Sequence, residues 1–461
     1  MTIQMKRLML TAAIAVLMFG TAFAQVPGGV TPILLNKSTL QKKVEKSDEH
    51  IVHERKGAKE RTWRKRGELF QDVDNQGLEQ VQLGMDQTTV KLLYNEPKSV
   101  ETKEDVEILT YETINYFFEN NRLRGWTRID PIHENPLQEA LRSYKKAIEL
   151  IDEGEKMKTQ ERIKDNLVEL KLQFQRDGQN QYYHENYLAS LKAFESIHEV
   201  NEIPIFDGVI DTLMINYCGI VAREIGVRYA QEGKEQKAEE MYRKAIDYYD
   251  QLSDLGFGGA SNYIQMTRDY YAIGDTLGAI DNLKKGLEQY PDSTLLVTVA
   301  AQAYYLMKDN EKGLEFLDER LEKRPKCPAA YYWKGLLITN VKDVEEELIK
   351  ESLALYDTSL MYDPSNASVW YQSGYVNYAV GASYYEQESY EEDAEFRKLL
   401  NEKGKKYYVE AAEKMEKAYE LSVDDRVVRR EALDLLKRIY YKLYGSDDEH
   451  YLRTNERLKE F

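Results

Sequence analysis

Two histidines three residues apart, His50 and His53, are the nearest thing in this chain to a metal-ligand pair. Residues at that spacing share a face if the segment is helical, and paired imidazoles bind zinc. The run Asp48-Glu49-His50-Ile51-Val52-His53-Glu54 supplies no third ligand pattern, so it reads as a solvated helix and no metal is assigned. No cofactor or catalytic residue is assigned either. The chain lacks a phosphate-cradling Gly-rich loop, a G-x-S-x-G elbow, a Cys-x2-Cys pair and an H-E-x-x-H helix, and its six His are scattered. The acidic run from Glu386 to Glu395 suits a solvated helix face. What the composition does offer is 35 Tyr against 12 Phe and 4 Trp. A phenol ring contributes apolar area and keeps a polar tip at a groove edge, which is chemistry for binding rather than reaction.

The elements that must carry these side chains are helical. The 461 residues are 42% hydrophobic and 31% charged with only 10 Pro, a composition rich in helix formers. A net charge of −17 repels phosphate backbones and excludes nucleic acid as the expected partner. Lys6 and Arg7, the apolar stretch from Leu8 to Phe19 and Ala22-Phe23-Ala24 have the layout of a secretory signal. Cleavage after Ala24 is expected, leaving an exported, periplasmic chain that begins at Gln25. No Cys follows that site to carry a lipid, and no other stretch approaches eighteen apolar residues, so no membrane span is expected. Cys218 and Cys327 stand at the same phase of repeats three units apart and read as small buried residues, not a disulfide.

Laid on itself with an offset of 34, the stretch from Tyr263 to Pro325 repeats: Tyr263/Val297, Tyr270/Tyr304, Ala279/Gly313, Leu283/Leu317 and Pro291/Pro325. That period and the W-x2-L-G-x2-Y, A-x3-F and closing-Pro pattern resemble tetratricopeptide repeats. The resemblance covers most of residues 136–461. It implies helix–turn–helix units in which large residues of one helix fill holes beside small residues of the other, stacked into a right-handed superhelix. The expected fold class is mostly α, a helical solenoid with a small N-terminal α+β insert.

In chain order, residues 1–24 are the signal, 25–60 a leader and charged helix, and 61–82 a first repeat helix bearing Trp63, Gly67 and Phe70, with Arg66 where Leu is usual. Residues 83–130 change character. Asp86 can cap a short helix ended by Asn95-Glu96-Pro97; a charged loop follows, then strands at 106–111, 114–119 and 122–129, with Asn120-Asn121 at a tight turn. This insert resembles the small outer-membrane assembly lipoproteins of the β-barrel machinery, which share a Gly-Met start, Val and Leu on the helix and a Pro after it. Here Tyr94 replaces their Gly, and the lipid-bearing Cys is absent. Residues 131–425 form the array, with an extended hairpin at 375–410, and 426–461 cap it. Its first element, around Ala140, Tyr144 and Ala147, is the delayed partner of the Trp63 helix or a lone half repeat.

The six recurring small slots are 178, 226, 267, 301, 335 and 374. In the resembling family, positions beside them on first helices line a concave groove. Here those positions hold Tyr182, Arg223, Arg268, Tyr271, Gln302, Tyr305, Tyr332, Tyr371, Tyr375 and Tyr378. Tyr and Arg supply much of interface energy, so the expected partner is another protein, a peptide or helix in the groove. The expected function is an exported interaction scaffold and no enzyme. The alternative is a structural subunit of an outer-membrane assembly or secretion complex, docking through residues 83–130.

Overall fold

The computed structural model describes residues 36–151, 156–339 and 346–461. The expected signal segment lies outside them. The described residues form two units, residues 36–258 with 269–274, and residues 259–268 with 275–461.

The first unit opens with α1 (Lys37–Val52), α2 (Glu54–Gly57) and α3 (Glu60–Asn75). Because α1 ends at Val52, His53 is extended, and its Nδ1 accepts a hydrogen bond from the Arg55 N–H at 3.2 Å. His50 and His53 therefore do not share a helix. Among the described residues, no group of three His, Cys, Asp or Glu side chains is placed to hold a metal.

The α+β insert follows. Asp86 caps α4 (Gln87–Tyr94), accepting from the Thr89 N–H at 2.9 Å. Four antiparallel strands run in sequence order: β1 (Ser99–Lys103), β2 (Val106–Thr110), β3 (Ile114–Glu119) and β4 (Arg122–Arg128). Ile114, Tyr116 and Phe118 point to one face and bury against Val90, Leu109 and Leu123. Asn120 and Asn121, at φ 51° and 58°, make the β3–β4 turn. Such turns need two positive φ values, which Asn tolerates. Strand β1 corrects the expected loop. It pairs with β2 alone and every residue is exposed, so no alternation betrays it.

After the insert, α5 (Pro136–Glu149) returns to α3. A Cβ on Gly67 would lie 2.6 Å from the Tyr144 ring, so only glycine lets the ring seat there. Tyr144 and Phe70 are fully buried. The delayed helix is thus the partner of the Trp63 helix, and the insert sits inside one helical hairpin. Arg66, also buried, pairs with Glu139 and Asp48, both at 2.7 Å, and stands 4.6 Å from the Phe70 ring centre. Its ion pairs replace the expected Leu contact.

Two more hairpins complete this unit. In α6 (Lys156–Tyr183) and α7 (Tyr187–Asn201), Gly178 faces Phe194. In α8 (Thr212–Gln231) and α9 (Glu235–Asp254), Gly226 faces Tyr242, and Gly233 turns the chain at φ 72°.

Helix α10 (Ala260–Ala272) gives residues 260–268 to the second unit, where they pair with α11 (Thr276–Gln289). Thr267 fills the small slot, and its Oγ1 accepts from Asn282 Nδ2 at 2.9 Å. Then come α12 (Thr294–Met307) with α13 (Asn310–Lys323), and α14 (Pro328–Thr339) with α15 (Glu346–Tyr362). Helices α16 (Ala367–Tyr390) and α17 (Ala394–Leu421), of 24 and 28 residues, precede the closing pair α18 (Arg426–Tyr444) and α19 (Glu449–Leu458). Small residues Ala279, Ser352 and Ala411 are fully buried, as are their large neighbours Leu283, Tyr356 and Met415. Asp275, Asp309, Asn366 and Asp425 cap helix starts by accepting from backbone N–H groups. Cys218 and Cys327 are buried free thiols. The helices stack as successive hairpins in which small residues of one helix face large residues of its partner.

Candidate functional site

In the first unit, Tyr182 ends α6, Arg223 lies mid-α8 and Tyr271 sits near the end of α10. Tyr182 is half-buried against Tyr187, ring centres 5.2 Å apart. Burial, then the nearby Glu224 carboxylate, holds its hydroxyl well above the usual phenol range. Arg223 grips Asp269 with two bonds, Nε to Oδ1 at 2.6 Å and a terminal nitrogen to Oδ2 at 2.7 Å. Asp269 is 1% exposed, so this is an internal strut. Tyr271 is 39% exposed.

In the second unit, Arg268 and Gln302 are exposed, while Tyr305, Tyr332, Tyr371 and Tyr378 are half-buried. Tyr305 approaches the Trp333 ring at 6.2 Å, Tyr332 the Tyr356 ring at 6.1 Å, and Tyr378 stacks on Tyr408 at 5.3 Å. These rings hold neighbouring helices together. Tyr371 and Tyr375, one turn apart on α16, stack at 6.4 Å with planes 21° apart. Tyr375 is 45% exposed. Burial, then the Glu431 carboxylate, pushes the Tyr371 hydroxyl up to about 12.

The first unit also contains a cleft of about 370 Å³ that sequence reasoning missed, bounded by β4, the connector at 131–136, α6 and α7. Phe174, Leu137 and Trp126 give it an apolar floor. Asp177, Asn180 and Gln181 line one wall at i, i+3 and i+4 of α6, on one helix face, and His184 follows in the turn just past its end. That polar spacing was the available signal.

Two of the four pin the insert in place. Asn180 Oδ1 accepts from the Trp126 N–H at 2.8 Å, and His184 Nε2 lies 3.1 Å from the Trp126 carbonyl, to which it must donate. Since β4 is an edge strand, these side chains satisfy backbone groups that a further strand would otherwise take. Burial lowers the His184 pKa. Asp74 is held by Arg128 at 3.3 Å and Arg176 at 3.0 Å. Asp177 receives the Gln181 amide at 3.1 Å. Burial, then the charge of Asp74, raises its carboxyl to about 6.

A pKa raised on folding means the native state binds the proton more tightly than the unfolded chain. Ionisation of Asp177 therefore costs stability as pH rises from about 4 to about 6, and the cost persists above that. Asp177→Asn is expected to stabilise the chain by about 1–2 kcal/mol at pH 7.5, discounted for the open side of the cleft, with no gain at pH 3.5. Denaturant melts at the two pH values check this, and equal melts at pH 7.5 would sink it.

No protein family matches the chain, and no curated protein matches it. Solved structures with some likeness include an IFIT1 monomeric mutant with m7Gppp-AAAA, 14% identical, covering 70% of this chain and 66% of that one at a TM-score of 0.35. A TPR repeats protein from Bacteroides fragilis is 15% identical and covers 57% and 97% at 0.29. YrrB, a TPR protein with an unusual peptide-binding site, is 17% identical and covers 47% and 92% at 0.25. The hairpin assignment rests on the packing of this chain's own helices.

Proposed function

We propose that this chain is an exported scaffold that binds another protein through Tyr-rich faces on the first helices of its hairpins, with no reaction of its own. The observation that carries the reading is the stacked Tyr371–Tyr375 pair, presented half-exposed on α16. Stacked phenols are rigid, so ordering them on binding costs little entropy, while their area and hydroxyls remain available. Arg268 and Gln302 add exposed polar groups on other first helices of that unit. Arg223 takes the different role of a strut. Export rests on the Lys6–Ala24 pattern, and the mature chain should begin at Gln25.

Affinity capture from an envelope extract, run in parallel on wild type, Tyr375→Ala and Tyr371→Ala, tests the proposal. Each substitution is expected to weaken the captured partner by about 1–3 kcal/mol, with Tyr375→Ala changing folding stability by less than about 0.5 kcal/mol. Full-strength binding by both variants would remove the face from consideration.

The alternative, docking through the insert, is favoured by the fully exposed edge strand β1, whose outer backbone groups remain open to strand pairing. Capture that survives the Tyr substitutions but fails when Val100 is replaced by Pro would support that reading instead.

A further inference from the structure

The cleft beside α6 holds a carboxylate, Asp177, that has no ion pair of its own and whose charge Arg128 and Arg176 offset only in part. Its charged neighbours are otherwise engaged. Arg128 and Arg176 are committed to Asp74, and Lys192 pairs with Glu199 at 2.6 Å. His184 donates to the Trp126 carbonyl, and His133 Nδ1 accepts from the Asn135 N–H at 3.1 Å. Glu134, exposed on the connector, adds a second negative charge at the mouth. Among the described residues Asp177 has no ion pair, only the neutral amide of Gln181.

A half-buried carboxylate of this kind lowers stability, and a positively charged guest would relieve that cost. The volume of about 370 Å³ and the Phe174–Leu137–Trp126 floor suit a short alkyl stem behind the charge. We infer that this cleft binds a small organic cation, an alkylammonium or alkylguanidinium group, with Asp177 as its counter-ion. The site is separate from the Tyr-rich faces of the second unit and does not depend on them.

The same chemistry arrives either as a free amine or guanidine or as a Lys or Arg side chain of a peptide. The test is calorimetric titration of the full chain with n-butylammonium, n-butylguanidinium and a blocked Ala-Lys-Ala peptide, with n-butanol and butyrate as controls. At pH 7.5 a cation is expected to bind saturably and the controls not at all. Asp177→Asn should weaken that binding at least about tenfold, and so should lowering the pH to 5 in the wild type, because the carboxylate is then protonated. The Asn variant is expected to be more stable than wild type, so lost binding cannot be lost folding. A second variant, Ala189→Trp, fills the mouth from an exposed position on α7 and should also block binding. Tighter binding of the peptide than of free butylammonium assigns the guest to a polypeptide; the reverse order assigns it to a free metabolite. Cation binding that is unchanged in Asp177→Asn, butyrate binding as well as butylammonium, or no saturable binding of any cation would each overturn the inference.

Discussion

Asp269→Ala is expected to destabilise the chain by about 3–5 kcal/mol. The carboxylate is buried and holds the Arg223 guanidinium through two short bonds, while the Tyr249 ring lies 5.3 Å from its carbon. Removing the carboxylate leaves a desolvated cation whose partner water cannot fully replace, the costly half of a broken buried pair. Replacing both members by apolar residues, Arg223→Met with Asp269→Leu, should cost much less, because no charge is then stranded. Denaturant unfolding of the single and double variants makes the comparison. A loss below about 1 kcal/mol for Asp269→Ala would mean that Arg223 swings into solvent, where it would be available to a partner.

Tyr144→Ala is the second large effect, also about 3–5 kcal/mol. The ring occupies the hole over Gly67 and is fully buried, so truncation opens a cavity between α3 and α5. Its hydroxyl donates to Gln71 Oε1, and Gln71 Nε2 donates to Gln173 Oε1 at 2.8 Å, a buried chain of bonds reaching α6. Tyr144→Phe keeps the ring but strands the Gln71 oxygen, so a smaller loss of about 1–3 kcal/mol is expected. Melting both variants beside wild type separates cavity from hydrogen bond. Equal, small losses would show that α3 and α5 are held together elsewhere.

What could be read in the sequence was whatever a periodic pattern encodes. The small slots at Gly178, Gly226 and Gly335, with Phe194, Tyr242 and Tyr356 facing them, follow from a repeat in which one helix's ring fills another's gap. Asp86 as a cap and Asn120-Asn121 as a turn were legible because each meets a local backbone need. Features set by contacts between distant segments were not. Strand β1 has no buried face, and Arg66 is buried and Arg223 half-buried only because carboxylates from other helices meet them. The repeat pairs Tyr270 with Tyr304, yet Tyr270 is half-buried and Tyr304 buried. The cleft depends on β4 meeting α6, a juxtaposition no spacing along the chain announces.

The position of the insert within a single hairpin bears on the order in which the chain assembles. A ribosome releases α3 about sixty residues before α5, so its ring-filling partner does not yet exist when it emerges. Closing so long an unstructured loop carries an entropic cost that grows with its length. The meander avoids most of it, since β2, β3 and β4 join by short local turns and need no distant contact to form. Once β4 is in place, Arg128 donates to the Gln76 carbonyl at 2.8 Å and to the Asp74 carbonyl, which brings the end of the insert back to where it began. From then on α3 and α5 approach one another as near neighbours along the chain, and the insert serves as the turn of the first hairpin.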